Sequence, residues 1–238
     1  MPVDTIITGA GSGIGKSTAE LILGANRKVL GLDITDSQIE SPLYEHINID
    51  ISDLKSIESK NLLTIFSKYR GLVNAAGITL KSNEENKFSN FAKTLEVNLF
   101  APYYLSEIFF RSRKEIKNHS SIVNISSIGG CLGFPNNPGY CASKGGIESL
   151  TRSLATDFIE KNIRVNTVRP GYTETPMNKL SLENKHEKKR RANHSLLQRW
   201  GEPKEIAETI YFLLSEKASF ITGSCITVDG GWTIKGIL

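Results

Sequence analysis

Near the start, the chain reads Val3-Asp-Thr-Ile-Ile-Thr-Gly-Ala-Gly-Ser-Gly-Ile-Gly15, continues in a helical pattern to about Asn26, and resumes as Lys28-Val-Leu-Gly-Leu-Asp33. The first run, residues 3–8, is apolar and β-branched, the profile of a strand buried on both faces. A glycine-rich turn follows it, and an acid closes the second apolar run. Strand, glycine turn, helix, strand and acid together make a βαβ unit with a specific use. The glycines permit a tight backbone and let a pyrophosphate approach the helix N-terminus, where free N–H groups and the helix dipole favour negative charge. A carboxylate ending the second strand accepts hydrogen bonds from an adenosine ribose diol and repels a 2′-phosphate. Asp33 therefore points to NAD rather than NADP. Without that flanking context the same turn would be a mere connection between strand and helix.

Working outward, the same alternation continues to the end of the chain. Residues 45–49 read as a third strand ending at Asp50, and only sixteen residues separate Asp33 from Asp50, so any crossover helix there is short. Leu54, Ile57, Leu62, Ile65 and Phe66 give residues 54–69 a near-helical apolar spacing. Residues 72–78 form a strand that ends in small residues, suited to close approach of a ligand. A long helical region spans 88–118 and carries Asn98 among apolar neighbours, where an amide is either a satisfied core group or a catalytic one. Residues 121–125 are a fifth strand, 140–161 a helix, and 164–168 a sixth strand stopped by Pro170-Gly171. Residues 172–200 are polar and poorly periodic, and a stretch of that length is functional or mobile. A helix over 203–214 and a strand over 224–228, closed by Asp229-Gly-Gly231, complete the chain. Strands alternating with helices predict an α/β fold, one Rossmann-type doubly wound sheet spanning residues 1–238 as a single domain.

Between the fifth strand and its helix lies Ser126-Ser-Ile-Gly-Gly-Cys-Leu-Gly-Phe-Pro-Asn-Asn-Pro-Gly-Tyr-Cys-Ala-Ser-Lys144. Tyr140 and Lys144 stand one helical turn apart on the same face. A phenol beside an ammonium, with a hydroxyl delivered from a strand end, can make a general base near neutral pH.

Composition narrows the class. The chain has 238 residues, a net charge of +4 and 39% hydrophobic content, which describes an ordinary globular protein. Much of the basic excess sits in Lys185-His-Glu-Lys-Lys-Arg-Arg191, so charge alone implies no nucleic-acid partner. Three cysteines in no metal-type spacing favour a reducing compartment and predict a cytoplasmic protein. No secretory leader is visible, and no run approaches the ~18 apolar residues that span a membrane. His46, His119, His186 and His194 have no ligand spacing, so no metal is assigned.

Thr8-Gly-Ala-Gly-Ser-Gly-Ile-Gly15, Asn74-Ala-Ala-Gly77, Asn98, Ser127, Tyr140-x-x-x-Lys144, Pro170-Gly171 with Thr175, and Asp229-Gly-Gly231 occur in this order from end to end. The ordered set resembles the short-chain dehydrogenase/reductase family in its short, single-domain form. The resemblance implies about seven parallel strands flanked by helices, with a nicotinamide dinucleotide at the carboxyl edge of the sheet. It casts Tyr140 as general acid/base, Lys144 as its partner and Ser127 as the serine that orients the substrate oxygen, with Ser126 packed inward. Asn98 would hold a water linking Lys144 to solvent. Gly9, Ser12, Gly13, Ile14 and Gly15 would line the pyrophosphate, Asp33 the ribose, and Asp50 with Ile51 the adenine. Asn74, Ala75 and Gly77 would pass behind the cofactor, and Pro170, Gly171, Thr173 and Thr175 would meet the nicotinamide, which Lys144 and Tyr140 also contact.

On this reading the chain is an NAD-dependent oxidoreductase interconverting a secondary alcohol and a ketone, 3-oxoacyl-type compounds included. A free tyrosine titrates near ~10; the Lys144 ammonium and an oxidised nicotinamide should lower that value. Alternatives are a dihydrodiol dehydrogenase of the dihydroxybenzoate type and a non-catalytic dinucleotide-binding regulator. Residues 172–200 match the segment that closes over substrate. The basic run within it is either a solvated helix face or an attractor for an anionic substrate. The resemblance also implies a homotetramer or homodimer. Two departures stand out: Ala75 replaces the family's second asparagine, and the short Asp33–Asp50 spacing reduces the adenosine flank.

Overall fold

Seven strands, all parallel, form one sheet in the computed structural model, which describes residues 3–81, 85–113 and 119–236. In chain order they are β1 (Thr5–Thr8), β2 (Val29–Asp33), β3 (Tyr44–Asn48), β4 (Gly71–Asn74), β5 (Ser120–Ile125), β6 (Ile163–Pro170) and β7 (Cys225–Val228). Their spatial order is β3-β2-β1-β4-β5-β6-β7, so the direction of winding reverses between β1 and β4. Ligands of such sheets bind outside the carboxyl ends of the strands at that switch point. The register Thr8↔Asn74↔Asn124↔Thr167 aligns the carboxyl halves of four strands.

The strand period of two sorts the core onto the two faces of the sheet. Ile7, Val73 and Val123 pack with α1 (Gly13–Gly24) and α9 (Pro203–Leu214), through Ala19, Ile22, Ile206, Ile210 and Leu213. Their chain neighbours Ile6, Leu72 and Ile122 face the other way, onto Leu105, Phe109, Leu154 and Phe158. Each such side chain contributes roughly 1.5–3 kcal/mol by leaving water, which makes a one-residue register slip prohibitive.

Five elements differ from the sequence-based expectation, and the first is the strand predicted over 72–78, which ends at Asn74 and leaves residues 75–78 outside the sheet. The helix predicted over 54–69 is two, α2 (Leu54–Ser59) and α3 (Leu62–Phe66), because Asn61 between them adopts a left-handed φ of 48°, a conformation that asparagine tolerates. The long helix predicted over 88–118 is α4 (Lys87–Leu95), a π-helical turn (Glu96–Phe100) and α5 (Ala101–Ser112); residues 114–118 of that prediction lie outside the described residues. Pro102 is the physical cause. It has no N–H to give the carbonyl four residues back, that of Asn98, and Ala101 N donates instead five residues back to Glu96 O. The helix predicted from Tyr140 opens two residues earlier, at Pro138, whose missing N–H costs nothing in a first turn. It runs as α6 (Pro138–Asp157) and tightens to a 3₁₀ turn (Phe158–Lys161). The irregular segment 172–200 contains a short 3₁₀ turn (Pro176–Asn178), α7 (Lys179–Glu183) and α8 (Lys185–His194). α8 buries none of its residues, so it has no apolar period to read; the Asn184 side-chain Oδ1 starts it by accepting from His186 N and Glu187 N.

The short spacing left room for a short crossover helix at most; in the structure no helix separates β2 from β3. Among the described residues no helix is long and apolar enough to cross a membrane.

Candidate active site

The chain leaves β1 at Gly9, whose φ of +69° suits glycine. A Cβ there would stand 2.8 Å from the backbone of Ala76. At Gly15 a Cβ would lie 2.1 Å from the Gly9 carbonyl oxygen, so α1 can pack against the strand turn only with glycine at that position. Ser12 sits extended at the N-cap of α1 without a side-chain cap bond, which leaves its hydroxyl free for a ligand. Asp33, at the end of β2, accepts from Gly11 N (2.9 Å), Thr35 N (3.0 Å) and Thr35 Oγ1 (2.9 Å), so this acid and the glycine turn hold each other. Asp50 accepts from Ser52 Oγ (2.6 Å) and Ser52 N (2.8 Å). The Ser52 hydroxyl bond above all, with Lys93 nearby, holds its carboxyl below the ordinary value against the effect of burial.

Thr8 has a role that its place in the sequence did not signal. Its hydroxyl oxygen accepts from Ala75 N (3.1 Å) and Ala76 N (3.0 Å), fixing the strip that passes behind the cleft. Asn74, expected against the cofactor, turns its side chain away from it. Its Nδ2 donates to Asn124 Oδ1 (2.8 Å), and Asn124 Nδ2 donates to Thr151 Oγ1 (2.9 Å), a buried polar ladder that ties β4 to β5 and α6. The register explains this, since Asn74 pairs directly with Asn124 at the strand ends.

At the other end of the cleft, β5 delivers Ser126 and Ser127. Ser126 packs inward, with Oγ 2.7 Å from Glu148 Oε1 and 2.9 Å from the Lys144 carbonyl. Ser127 faces the cleft and accepts from Gly129 N (3.1 Å), the bond that starts the 3₁₀ turn Ile128–Gly130. Tyr140, in the first turn of α6, has its phenol pushed above the ordinary value by burial, with a hydrogen bond to Ser127 acting the other way. The sequence-based expectation of a lowered value counted on the Lys144 ammonium and an oxidised nicotinamide together; from the protein's own groups, burial outweighs the rest. Lys144 is buried, with Nζ 5.8 Å from the Tyr140 ring centroid and 2.7 Å from the Ile125 carbonyl to which it donates. Burial pulls its ammonium down to about 8.

Asn98 stands in the π-helical turn and is spoken for on both sides. Its Oδ1 accepts from Ile78 N (2.8 Å), and its Nδ2 donates to Ile78 O (2.9 Å) and Ser143 Oγ (3.1 Å). A Cβ at Gly77 would come within 3.3 Å of Asn98 Oδ1 and 3.5 Å of Lys144 Nζ, so Gly77 marks where the three converge.

A cleft of about 360 Å³ joins the two ends. Gly9, Ser12, Gly13, Ile14, Gly15, Asp33, Asp50, Ile51, Ala75, Gly77, Ser127, Tyr140, Lys144, Pro170, Gly171, Thr173 and Thr175 all line it; Asn74 and Asn98 do not. Ile34, Ile78, Lys93, Val97, Met177 and Asn178 line it too and were not singled out from the sequence, because their chemistry there is contact rather than a motif. Segment 172–200 is hinged at its two ends on each other: Glu174 N donates to Gly201 O and Gly201 N to Tyr172 O, both at 2.9 Å. From there Thr175 reaches over the glycine turn, 3.3 Å from where a Gly13 Cβ would be.

Beside Tyr140 an aromatic wall was also missed. Phe134 stacks with Tyr140 and with Tyr172 at 6.4 Å each, and Tyr172 meets Trp232 at 5.6 Å. The basic run does not reach the cleft. Lys188 pairs with Glu174 (2.9 Å), Arg190 and Arg191 with Glu187, and Arg191 covers the outer Tyr172 ring at 4.5 Å. Among the described residues no group of three or more His, Cys, Asp or Glu could hold a metal.

The site fits a nicotinamide dinucleotide on four counts: a glycine cradle with no room for a Cβ, an uncommitted Ser12 hydroxyl, an acid at the ribose position, and a buried lysine facing the far end. Comparison with known proteins agrees. The family model described as enoyl-(acyl carrier protein) reductase matches residues 9–233. Cyclohexanol dehydrogenase of an Acinetobacter species is 33% identical over 97% of this chain and 94% of its own length. A 3-oxoacyl-acyl-carrier-protein reductase of Thermotoga maritima is 34% identical over 96% of this chain and 97% of its own. An uncharacterized short-chain type dehydrogenase/reductase of Sinorhizobium fredii is 33% identical over 95% of this chain, which spans only 43% of that protein. Among solved structures, 4-hydroxyisoleucine dehydrogenase complexed with NADH superposes with a TM-score of 0.91 at 32% identity, covering 98% of this chain and 99% of that one. A gluconate 5-dehydrogenase from Beutenbergia cavernae, described as putative and carrying bound NADP, superposes with a TM-score of 0.88 at 30% identity, covering 97% and 96%.

Proposed function

The chain belongs to the short-chain dehydrogenase/reductase family, and from that premise we propose that it is an NAD-dependent oxidoreductase interconverting a secondary alcohol and a ketone. The carrying observation is that a dinucleotide cradle and the Ser127–Tyr140–Lys144 constellation open into one cleft.

The bound cofactor would supply a hydride acceptor and a positive ring beside the phenol. The protein's own residues do the rest. Tyr140 takes the hydroxyl proton of the alcohol at its phenolic oxygen, or returns it in the reverse direction. Ser127, whose oxygen accepts from Gly129 N, can turn its hydroxyl proton from Tyr140 to the same substrate oxygen as charge develops there. Lys144 presents an ammonium without a carboxylate partner, available to the cofactor ribose and favouring the phenolate. Asn98 fixes Ile78 and the floor beneath Lys144; with its own carbonyl short of the Pro102 donor, it is placed to hold a water for proton exit.

The preference for NAD rests on Asp33. Its carboxylate lies in the cleft beside Gly11 and Thr35, where a 2′-phosphate would meet negative charge. Lys188, Arg190 and Arg191 are ion-paired away from the cleft, which favours the solvated-face reading of the basic run over attraction of an anion. The residues of segment 172–200 that line the cleft support its role as a lid. Titration of the protein's fluorescence with NADH and NADPH, followed by an NADH-absorbance screen over ketones, secondary alcohols and cyclic diols, tests the reading. Equal affinity for both cofactors would remove the NAD assignment, and no turnover across the screen would favour the non-catalytic alternative.

A further inference from the structure

Glu148 lies one helical turn beyond Lys144 on α6, with its side chain only 9% exposed, and the mechanism above does not use it. Burying a carboxylate is costly unless it is paired and hydrogen-bonded. Glu148 is both. Arg169, the residue before Pro170-Gly171, grips it with two parallel bonds, Nε to Oε1 at 2.8 Å and Nη2 to Oε2 at 2.6 Å. Ser126 Oγ stands 2.7 Å from the same Oε1 and 2.9 Å from the Lys144 carbonyl. The 3₁₀ turn after Ser127 closes over the cluster: a Cβ at Gly130 would meet Glu148 Oε1 at 2.7 Å and Ser126 Oγ and Lys144 O at 2.8 Å. One carboxylate thus joins α6, the end of β5 beside Ser127 and the end of β6 beside the nicotinamide strip.

We propose that Glu148 and Arg169 are positioning residues for the reaction: the pair locks the three elements that carry Ser127, Lys144 and Pro170-Gly171, and its mutual neutralisation keeps Glu148 from acting as a counter-ion to Lys144. This rests on Tyr140 and Lys144 being the reacting pair. A bidentate guanidinium–carboxylate pair fixes orientation as well as charge. Burial works against the Glu148 carboxylate, yet bonds from Arg169 and Ser126 hold it below its ordinary value. Around the cluster stand Cys131 just after the 3₁₀ turn, Cys141 on α6, Tyr172 in segment 172–200 and Cys225 on β7; burial raises the Tyr172 phenol, and burial together with Glu148 pushes the Cys225 thiol up to about 11. Lys93, Asp33 and Asp50 face the same cleft from its adenosine end.

The pair's electrostatic role makes a prediction of opposite signs that a merely structural brace does not. Glu148→Gln leaves the Arg169 cation uncompensated and should favour the Tyr140 phenolate. Arg169→Met leaves the Glu148 anion, still ionised where a phenol titrates, and should disfavour it. The experiment is ultraviolet titration of tyrosinate in the full-length protein, each variant subtracted from its Tyr140→Phe counterpart so that only Tyr140 is read. The Tyr140 midpoint should fall in Glu148→Gln and rise in Arg169→Met, each by about half a pH unit or more. The double variant should return towards wild type. Shifts of the same sign, or no shift in Glu148→Gln, would overturn the proposal. If Arg169→Met does not fold, Glu148→Gln decides alone, because its amide keeps the shape of the carboxylate. Opposite shifts together with full turnover by Tyr140→Phe would instead sink the assignment of Tyr140 and leave the electrostatics standing.

Discussion

Lys144 donates a 2.7 Å hydrogen bond from its ammonium to the Ile125 carbonyl at the end of β5, and both residues are buried. The lysine is thereby held at the site, but its charge has been taken out of water without a carboxylate to meet it.

That cost should be measurable. Burial depresses Lys144 from 10.5 to about 8 in the folded chain. Between those values the unfolded chain holds the proton more firmly, so stability rises as pH climbs from about 8 towards 10.5. At pH 7 the penalty corresponds to about 3 kcal/mol, against about 1 kcal/mol for orphaning the Ile125 carbonyl on replacement. Lys144→Met should therefore stabilise the fold at pH 7 by about 2 kcal/mol while abolishing turnover, and lose that advantage at high pH. Urea unfolding at pH 7 and pH 10 checks this; a variant less stable than wild type at pH 7 contradicts it.

Ser126 and Ser127 are neighbours with separable duties. Ser127→Ala should lower turnover by roughly 10²–10³-fold, the usual scale for a lost donor to a developing oxyanion, with stability almost unchanged. Ser126→Ala should cost about 1–2 kcal/mol of stability by stripping a bond from buried Glu148 and affect turnover less. Thermal unfolding set beside initial rates distinguishes them, and equal kinetic defects would remove the distinction.

The cofactor preference turns on Asp33. Asp33→Asn keeps the shape and most contacts to Gly11 and Thr35 but removes the charge. The NADH-to-NADPH affinity ratio should fall by about tenfold, equivalent to about 1.4 kcal/mol. An unchanged ratio in fluorescence titrations would place the discrimination elsewhere.

Two glycines of α1 give a contrasting pair. Gly15→Ala puts a methyl 2.1 Å from the Gly9 carbonyl, so the turn must move and dinucleotide binding should be lost. Gly24→Ala meets nothing within 4 Å and should stabilise the helix by up to about 1 kcal/mol. Similar effects at both positions, in melting and NADH titration, would mean that α1 does not pack against the turn as described.

Much of the fold was legible because the pattern that reveals it is the pattern that buries it. Ile6 and Ile7, or Leu72 and Val73, read as continuous apolar runs since helices cover both faces of the sheet. The glycine turn was legible for a related reason: Gly9 and Gly15 stand where no other residue fits. Helix α8 was not, for none of its residues is buried and only the Asn184 cap marks its start. Nor was the π-helical turn at Asn98, although Pro102 was the signal for it. Asn74 was assigned to the cofactor by motif, but its side chain follows strand register into the ladder with Asn124. The Phe134–Tyr172 wall and the Glu148–Arg169 pair join residues distant in the chain, and nothing local announces such contacts.

The central claim is that Tyr140 exchanges the substrate proton in a cleft that binds the cofactor without it. The most direct measurement sets wild type beside Tyr140→Phe in two assays, NADH binding by fluorescence and turnover of the best alcohol found in an NADH-absorbance screen. Tyr140→Phe should bind NADH within about threefold of wild type while its turnover falls by at least ~10²-fold, the contribution of a positioned general acid/base. Turnover retained at the wild-type rate would contradict the account.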